Sequence, residues 1–532
     1  MEKAQEKNIF INQIGYLPTD KKIAFLTESA GNQNGTFELC ELNSKKVVFS
    51  GKIRAKNDDG SKFIDSNVGE EIFIADFSEF SNEGQFFIKI GEQESFPFEI
   101  KPHVYKNLYY SLLNFFNLSR CGQNFCHTSD AEIYGTSETK NVQGGWHDAG
   151  DYGRYIVPTA KTVMDLLLAY DSSKDFFSDF DILKEVRFAL EWMLKMQRED
   201  GAVYHKVSCY HFCAFIKPED EKDKLVISPV STAATADFAG SVAFASKFYQ
   251  KEDKEFAQKL LDSALKAQEY LNHHDDELFI NPPEITTGSY GDRNVSDERY
   301  FALCALWEAT GNSEYLKKAL EIREKETEIE TKTKTGNKHF WYDGFGWSLM
   351  AGFGTEILIN NSQKIDDKET VQKLKDAIIK NAENCLETAR KSAFIYVSKF
   401  SGWGSNGAIC DQAHILMLAY KITEKEEFKT VAKAQIDYLL GCNPLNYCYV
   451  TCCGSKSPEH PHHRPSGATK KLMPGMLVGG PCSGLNDEYA RIHLANLPAL
   501  KCYADAEPSY STNEVAIYWN SAFVYILSQI AF

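Results

Sequence analysis

A chain of 532 residues, 43% of them hydrophobic, is long enough for two or more domains and rich enough to bury large cores, which excludes a disordered chain. Its 58 Lys and Arg against 74 Asp and Glu give a formal charge of -16, which excludes nucleic acid or an anionic membrane as the main partner, because both demand a basic face. The start, Met-Glu-Lys-Ala-Gln-Glu-Lys, has no apolar signal core, and no apolar run of about eighteen residues follows, so neither a secretion signal nor a membrane span is expected. The compartment expected from this is the cytoplasm if Met1 is the native start, and the exterior if a signal peptide has been removed. The 14 Cys are scattered and include a vicinal Cys452-Cys453, a usage that reads as reduced thiols with room for a metal site. Aromatic residues, 13% of the chain, can line a sugar cleft but equally fill ordinary cores.

Residues 8 to 100 read as short strands at Ile9 to Asn12, Ile23 to Leu26, Thr36 to Leu42, Val47 to Phe49, Glu71 to Ala75, Gly84 to Ile90 and Phe96 to Ile100. Their spacing and the turn chemistry between them, such as Asp58-Asp-Gly60, predict an all-β immunoglobulin-like sandwich over 1–101. After Lys101-Pro102 helical periodicity takes over and runs to the end. Runs at 105–118, 159–170, 181–197, 232–250, 254–272, 296–310, 313–326, 344–359, 368–387, 407–421, 424–440 and 514–530 predict one all-α domain over 102–532. Such helices can close into a ring of hairpins or stack as an open solenoid, and pattern alone does not separate the two. The stretches at 121–157, 200–230, 275–295 and 441–512 read as long loops on the helix ends, where function usually sits.

Within the first of these, Gly144-Gly-Trp-His-Asp-Ala-Gly-Asp-Tyr-Gly153 sets Asp148 and Asp151 three residues apart amid four glycines. Two carboxylates held in a glycine-rich turn can activate a water, although Asp151 can also simply cap or turn the chain ahead of the next helix. Just upstream, Cys121, Cys126 and His127, with His147, make a set of two thiolates and two imidazoles suited to a closed tetrahedral zinc site, against the plainer reading of buried thiols. Near the C-terminus, Glu514 stands at the start of an apolar helix, either as a first-turn residue favoured by the helix dipole or as a partly buried acid with a raised pKa. His460-Pro-His-His-Arg464 gathers donors that suit sugar hydroxyls or a carboxylate, and is otherwise a solvated basic loop. Gly402-Trp-Gly404-Ser-Asn-Gly407 matches a dinucleotide fingerprint, but helical periodicity resumes at Glu424 where a second parallel strand is needed.

Taken together these residues resemble glycoside hydrolase family 9, the inverting cellulases, in the subgroup with an N-terminal immunoglobulin-like domain. The likeness is carried by Ile9-Phe-Ile-Asn-Gln-Ile-Gly-Tyr16, Trp146-His-Asp-Ala-Gly-Asp151, Ser228 to Asp237, Gly441-Cys-Asn-Pro-Leu445, the stretch Val450 to Arg464 ending Pro-His-x-Arg, and the spacing from Tyr503 to Ser521. The resemblance implies an (α/α)6 toroid, with Asp151 as general base, Asp148 its partner in holding the water, and Glu514 as general acid. It implies His462 and Arg464 as ligands of the sugar at the cleaved bond. Asp505 is a further substrate-binding candidate, and Trp146, Tyr290, Trp341, Trp403, Tyr510 and Trp519 are candidates for stacking on sugar rings, against the plainer reading of each as core. Zinc on Cys121, Cys126, His127 and His147 is implied as a structural metal, although the family's loop between the two cysteines is longer. Calcium on Ser289, Asp292, Asp297, Glu298 and Asp343 is the second metal it suggests, since hard carboxylate oxygens suit that ion. The sequence departs from the family pattern at Cys448, where Ser, Thr or Val is usual.

The reaction expected is inverting hydrolysis, with the carboxyls of Asp151 and Glu514 roughly 6.5 to 9.5 Å apart to admit the water. Without a cellulose-binding module or docking repeat, the expected substrates are short soluble β-1,4-glucans. The rivals are an exo-acting β-glucosidase or β-glucosaminidase on the same scaffold, a catalytic zinc hydrolase, and a non-catalytic carbohydrate-binding protein.

Overall fold

The computed structural model describes residues 8–31, 35–57, 60, 62–122, 130–173, 180–332 and 343–530. The chain divides into two compact units, the first holding Met1–Phe115 with Ala382–Phe532 and the second Phe116–Asn381.

The first unit begins with strands β1 (Ile9–Phe10), β2 (Gly15–Tyr16), β3 (Ile23–Thr27), β4 (Thr36–Glu41), β5 (Val47–Ala55), β6 (Ile72–Asp76), β7 (Gly84–Ile90), β8 (Gln93–Glu94) and β9 (Phe98–Ile100). They pair in the order β1-β3-β6-β5-β4-β7-β9-β2, with β8 on β7. β5 is the strand that sequence reading cut short. Its stretch from Val47 to Lys52 pairs with β4 and its last three residues with β6, so it passes from one layer to the other. Between the layers alternate residues such as Leu26, Phe37, Leu39, Phe73, Phe86, Ile88 and Phe98 form a single apolar core. The Asn-Gln-Ile-Gly-Tyr motif has a mechanical explanation. Gly15 sits at φ +137, where a Cβ would lie 2.0 Å from the Glu99 carbonyl, so only glycine lets β2 meet β9 there. Asn12 Nδ2 donates to Asp437 at 2.7 Å and to the Tyr105 hydroxyl at 3.0 Å, and Gln13 donates to the Asn446 carbonyl at 2.9 Å, joining the strand ends to later parts of the same unit.

Helix α1 (Lys106–Leu118) follows. The next segments were read as loops but hold a five-stranded sheet: β10 (Ala131–Ile133), β11 (Thr139–Lys140), β12 (Arg154–Tyr155), β13 (Lys206–Cys209) and β14 (Leu225–Ile227), in the order β11-β10-β14-β13-β12. Strands of two to four residues leave too little alternation to be seen in sequence.

The second unit is built on α2 (Ile156–Ser173), α3 (Ile182–Lys195), α4 (Thr232–Tyr249), α5 (Lys254–His273), α6 (Ser296–Thr310), α7 (Ser313–Lys332), α8 (Ala351–Asn360) and the part of α9 (Lys368–Arg390) that precedes Ala382. Asp181, Ser231 and Asp253 cap α3, α4 and α5 by accepting from the third residue on, and Gly311 ends α6 in the left-handed conformation, as its sequence predicts. α2 packs on α3 and α4, α4 on α5 and α6, and α6 on α7 and α8. α4 buries everything but Lys247 and Phe248, whereas α5 buries one stripe, so the even-numbered helices form an inner row and their partners an amphipathic outer one. α8 begins later than the periodicity suggested, at Ala351 rather than near 344.

Back in the first unit, α10 (Ser405–Thr423), α11 (Glu426–Leu439), the short α12 (Arg464–Thr469), α13 (Glu488–His493) and α14 (Tyr510–Asn513), and α15 (Ile517–Ile530) complete the chain, with α10, α11 and α15 packed together. Helix follows helix after Gly402–Gly407, which removes the dinucleotide reading; Cβ atoms at Gly404 and Gly407 would instead strike the Trp519 indole. No described helix is long and apolar enough to cross a membrane.

Candidate active site

The glycine-rich stretch in the second unit is anchored by what lies on either side of its two aspartates. An antiparallel bridge between Arg120 and Trp146 brings residues 119–121 alongside 145–147. Trp146 is fully buried, and its indole Nε1 donates at 2.9 Å to Glu185, which also takes a paired hydrogen bond from Arg120 at 2.9 and 3.0 Å. This corrects the sugar-platform expectation for Trp146: its faces are closed and it pins the loop. Gly145, at φ +75, is required because a Cβ would fall 2.6 Å from the Trp192 ring.

Asp148 is 1% exposed and Asp151 6%. The Tyr290 hydroxyl donates to Asp148 Oδ2 at 2.6 Å, while Asp148 Oδ1 is buried with no partner. Asp151 Oδ2 accepts from the Gly153 amide at 3.1 Å and the Tyr155 hydroxyl at 3.0 Å. Burial, then the neighbouring Asp151, pushes the Asp148 carboxyl well above its usual range, against the Tyr290 hydrogen bond. The same burial and both aspartates raise the Tyr155 hydroxyl. Such a pair can hold one water and take its proton. Tyr290 has φ +48, a left-handed backbone that sequence gives no sign of, and its ring meets Tyr155 and Trp347 edge to face at 4.9 and 5.1 Å. Half-buried Trp347 was missed by sequence reading, whereas Trp341 lies outside the described residues.

In the first unit, Glu514 lies between α14 and α15, not in the first turn of a helix, and is half-buried. Trp403, 44% exposed, donates its indole N–H to Glu514 Oε2 at 3.1 Å. Tyr510 packs against Trp403 at 5.2 Å and against the half-buried His462 at 5.7 Å, so an acid, an exposed indole, a phenol and an imidazole share one surface. His462 is placed by a bridge to Glu514 and by Nδ1 bonding to the Glu507 carbonyl at 2.6 Å. His463 is a buried cap of α12, pushed down to about 3 by burial and hence neutral, and Arg464 is buried at the first turn of that helix. Two expectations are corrected here. Asp505 accepts from the Glu459 and His460 amides at 2.8 and 2.9 Å and from Asn513 at 3.0 Å, so it braces the His460–His462 loop with both oxygens engaged. Trp519 is 4% exposed and fills the space beside Gly404 and Gly407.

Of the expected zinc ligands, Cys126 and His127 lie outside the described residues. Cys121 and His147 are both buried on the two segments joined by the bridge at Arg120 and Trp146, a thiol and an imidazole suited to that ion. Of the expected calcium ligands, Asp292, Asp297 and Glu298 do act on one another, together with Asp237, which sequence reading missed as a ligand. All four carboxylate oxygens of Asp237 and Glu298 are buried without a hydrogen-bond partner, and burial followed by the neighbouring acids holds both carboxyls well above their usual range. That donor set fits a hard divalent cation, although no three such groups among the described residues converge on one point as they stand. Asp343 does not join them, since Arg323 grips both its oxygens at 2.6 and 2.9 Å. Ser289 turns its carbonyl to His205 at 2.8 Å.

Comparison with known proteins assigns residues 105–527 to "Glycosyl hydrolase family 9" and residues 4–95 to "Cellulase N-terminal ig-like domain". A cellodextrinase of Butyrivibrio fibrisolvens is 34% identical, the match covering 98% of this chain and all of that one, and Endoglucanase D of Acetivibrio thermocellus is 30% identical over 98% and 83%. Among solved structures, an endoglucanase variant from Alicyclobacillus acidocaldarius superposes with a TM-score of 0.87 at 32% identity over 99% of both chains. AaCel9A, in complex with cellobiose-like isofagomine, gives 0.88 at 32% identity over 99% of this chain and 100% of that one. An immunoglobulin-like domain ahead of a helical catalytic domain therefore defines this protein as a glycoside hydrolase. The chain belongs to glycosyl hydrolase family 9.

Proposed function

We propose that the protein hydrolyses β-1,4-glucosidic bonds with inversion, acting on soluble cello-oligosaccharides. The observation that carries this is the Asp148–Asp151 pair, two buried carboxylates supported by the hydroxyls of Tyr290 and Tyr155. Asp151 takes a proton from a water that Asp148 helps hold, the water oxygen bonds to the anomeric carbon, and Glu514 gives its proton to the departing glycosidic oxygen. His462 and Arg464 hold the sugar at that bond, with Trp403 and Tyr510 offering faces to sugar rings. Supporting the choice of substrate is the full-length likeness to a cellodextrinase.

The boundary at 101/102 and an (α/α)6 toroid belong to the same proposal; the inner row α2, α4, α6 and α8 with its outer partners supports the latter. Structural zinc on Cys121, Cys126, His127 and His147 would pin the loop bearing the aspartates, and a divalent cation such as calcium on Asp237, Asp292, Asp297 and Glu298 would neutralise that acid cluster. The test is initial rate on cellotriose to cellohexaose against microcrystalline cellulose. Cellopentaose should be cleaved far faster per reducing end formed, and equal rates would overturn the substrate assignment.

A further inference from the structure

Three side chains of and beside β13 grip the loop that ends at Tyr290. His205 Nε2 bonds to the Ser289 carbonyl at 2.8 Å, Ser208 shares a 2.8 Å hydrogen bond with Thr287 Oγ1, and between them the Lys206 ammonium donates to Gly288 O at 2.5 Å and Thr287 Oγ1 at 3.0 Å, with Thr287 O at 3.4 Å. Lys206 is wholly buried and makes no ion pair among the described residues. A buried ammonium with no counter-ion in contact loses several kcal/mol of hydration, more than its hydrogen bonds to neutral oxygens return, so packing alone would favour methionine here. The same lysine borders the other aspartate of the pair. Lys206 pairs with Tyr155 across the β12–β13 ladder, its Nζ lies 5.5 Å from that ring, and Tyr155 donates to Asp151.

We propose that Lys206 is a positioning residue for the water-activating pair, fixing Thr287 and Gly288 so that Tyr290 meets Asp148. Asp151 acts on Lys206 through space, favouring the ammonium against the push of burial. The other titratable groups facing the lysine carry no charge near neutrality: Tyr155, raised by burial and both aspartates, and His205, pushed down to about 3 by burial. β14 contributes only Leu225, Val226 and Ile227, and the loop contributes only carbonyl and hydroxyl oxygens at the contact. Burial pushes Lys206 itself down to about 7, opposed by Asp151, so the ammonium that grips Thr287 and Gly288 is fully present on the acidic side of neutrality.

This rests on the proposed β-glucan hydrolysis, and the experiment separates the two. The kcat and KM of wild type, Lys206→Met and Lys206→Arg are measured on cellotetraose from pH 4.5 to 8, with thermal midpoints as a folding check. Lys206→Met should lower kcat about tenfold or more with KM changed less than about threefold, because the grip on the Tyr290 loop is lost while the sugar contacts stay. Lys206→Arg should recover part of the lost kcat, since a cationic donor is kept. A folded Lys206→Met with wild-type kcat, or with KM raised as much as kcat is lowered, overturns the inference. If Lys206→Met does not fold, Thr287→Val decides: it removes one acceptor of the grip, so kcat should fall with KM nearly unchanged, and an unchanged kcat overturns the inference. A wild type inactive on every cello-oligosaccharide overturns the functional reading instead.

Discussion

Replacing Tyr290 with phenylalanine removes one oxygen from the structure and leaves Asp148 without a hydrogen bond to its carboxylate. The hydroxyl lies 2.6 Å from Asp148 Oδ2, the other oxygen is already unpartnered, and the side chain is 1% exposed, so no bulk water replaces the lost donor. A hydrogen bond to a charged group is worth about 1.5–3 kcal/mol, which at about 1.4 kcal/mol per decade corresponds to roughly a 10- to 150-fold loss in kcat/KM if the bond is kept through the transition state. The phenyl ring keeps its edge contacts with Tyr155 and Trp347, so the fold should survive. The sign of the pH effect follows from the same contact: the Tyr290 hydrogen bond opposes the upward push of burial and Asp151, so its removal raises the Asp148 carboxyl further and moves the acidic limb of kcat/KM upward. Steady-state kinetics on cellotetraose from pH 4.5 to 8 would show both effects. A variant within threefold of wild type at every pH, with the limb unmoved, would show that the Tyr290 hydroxyl does not support the pair.

Two other changes separate structural from chemical roles. Trp146→Phe removes the buried indole donor to Glu185 and leaves a small void, costing about 2–4 kcal/mol in urea unfolding while KM for cellotetraose stays within twofold; a raised KM at unchanged stability would restore the platform reading. The acid cluster predicts a pH-dependent cation effect. Folding raises the carboxyls of Asp237 and Glu298 well above their unfolded values and Asp297 to about 6, so the native state binds more protons than the unfolded state and stability is lost as pH rises from about 4 through 6 and beyond. In EGTA the thermal midpoint should therefore fall between pH 5 and 8, and millimolar calcium should flatten that slope. Asp237→Asn should weaken both effects, and a calcium-insensitive slope in wild type would remove the cation reading.

Much of the architecture could be read from the chain because long elements advertise themselves. α5 shows one apolar stripe and an Asp253 cap, and the sandwich strands alternate between turns. What escaped was set by tertiary contact. β12 to β14 are too short for a pattern, β5 carries Gly51 where a break is expected, and there a Cβ would meet the Phe37 ring at 2.6 Å. Among site residues, Asp148, Asp151 and Glu514 were visible as motif positions, but type and spacing do not report exposure. Trp146 and Trp403 look alike in sequence, yet one is sealed against Glu185 and the other is 44% exposed beside Glu514. Asp505 likewise reads as a ligand until its oxygens are found filled by backbone amides. Asp237 ends a motif stretch but carried no sign of a ligand role, and Lys206 had no local signal at all, because their partners lie on elements distant in sequence.

Water activated by the aspartate pair should displace the leaving group from the opposite face of the sugar. Proton NMR of the first minutes of cellotetraose hydrolysis measures this directly from the anomeric signals of the newly formed reducing ends. Wild type should release fresh α-anomer that relaxes afterwards to the mixture, and Asp151→Asn should release almost none. Fresh β-anomer from wild type, or full turnover by Asp151→Asn, would contradict the account.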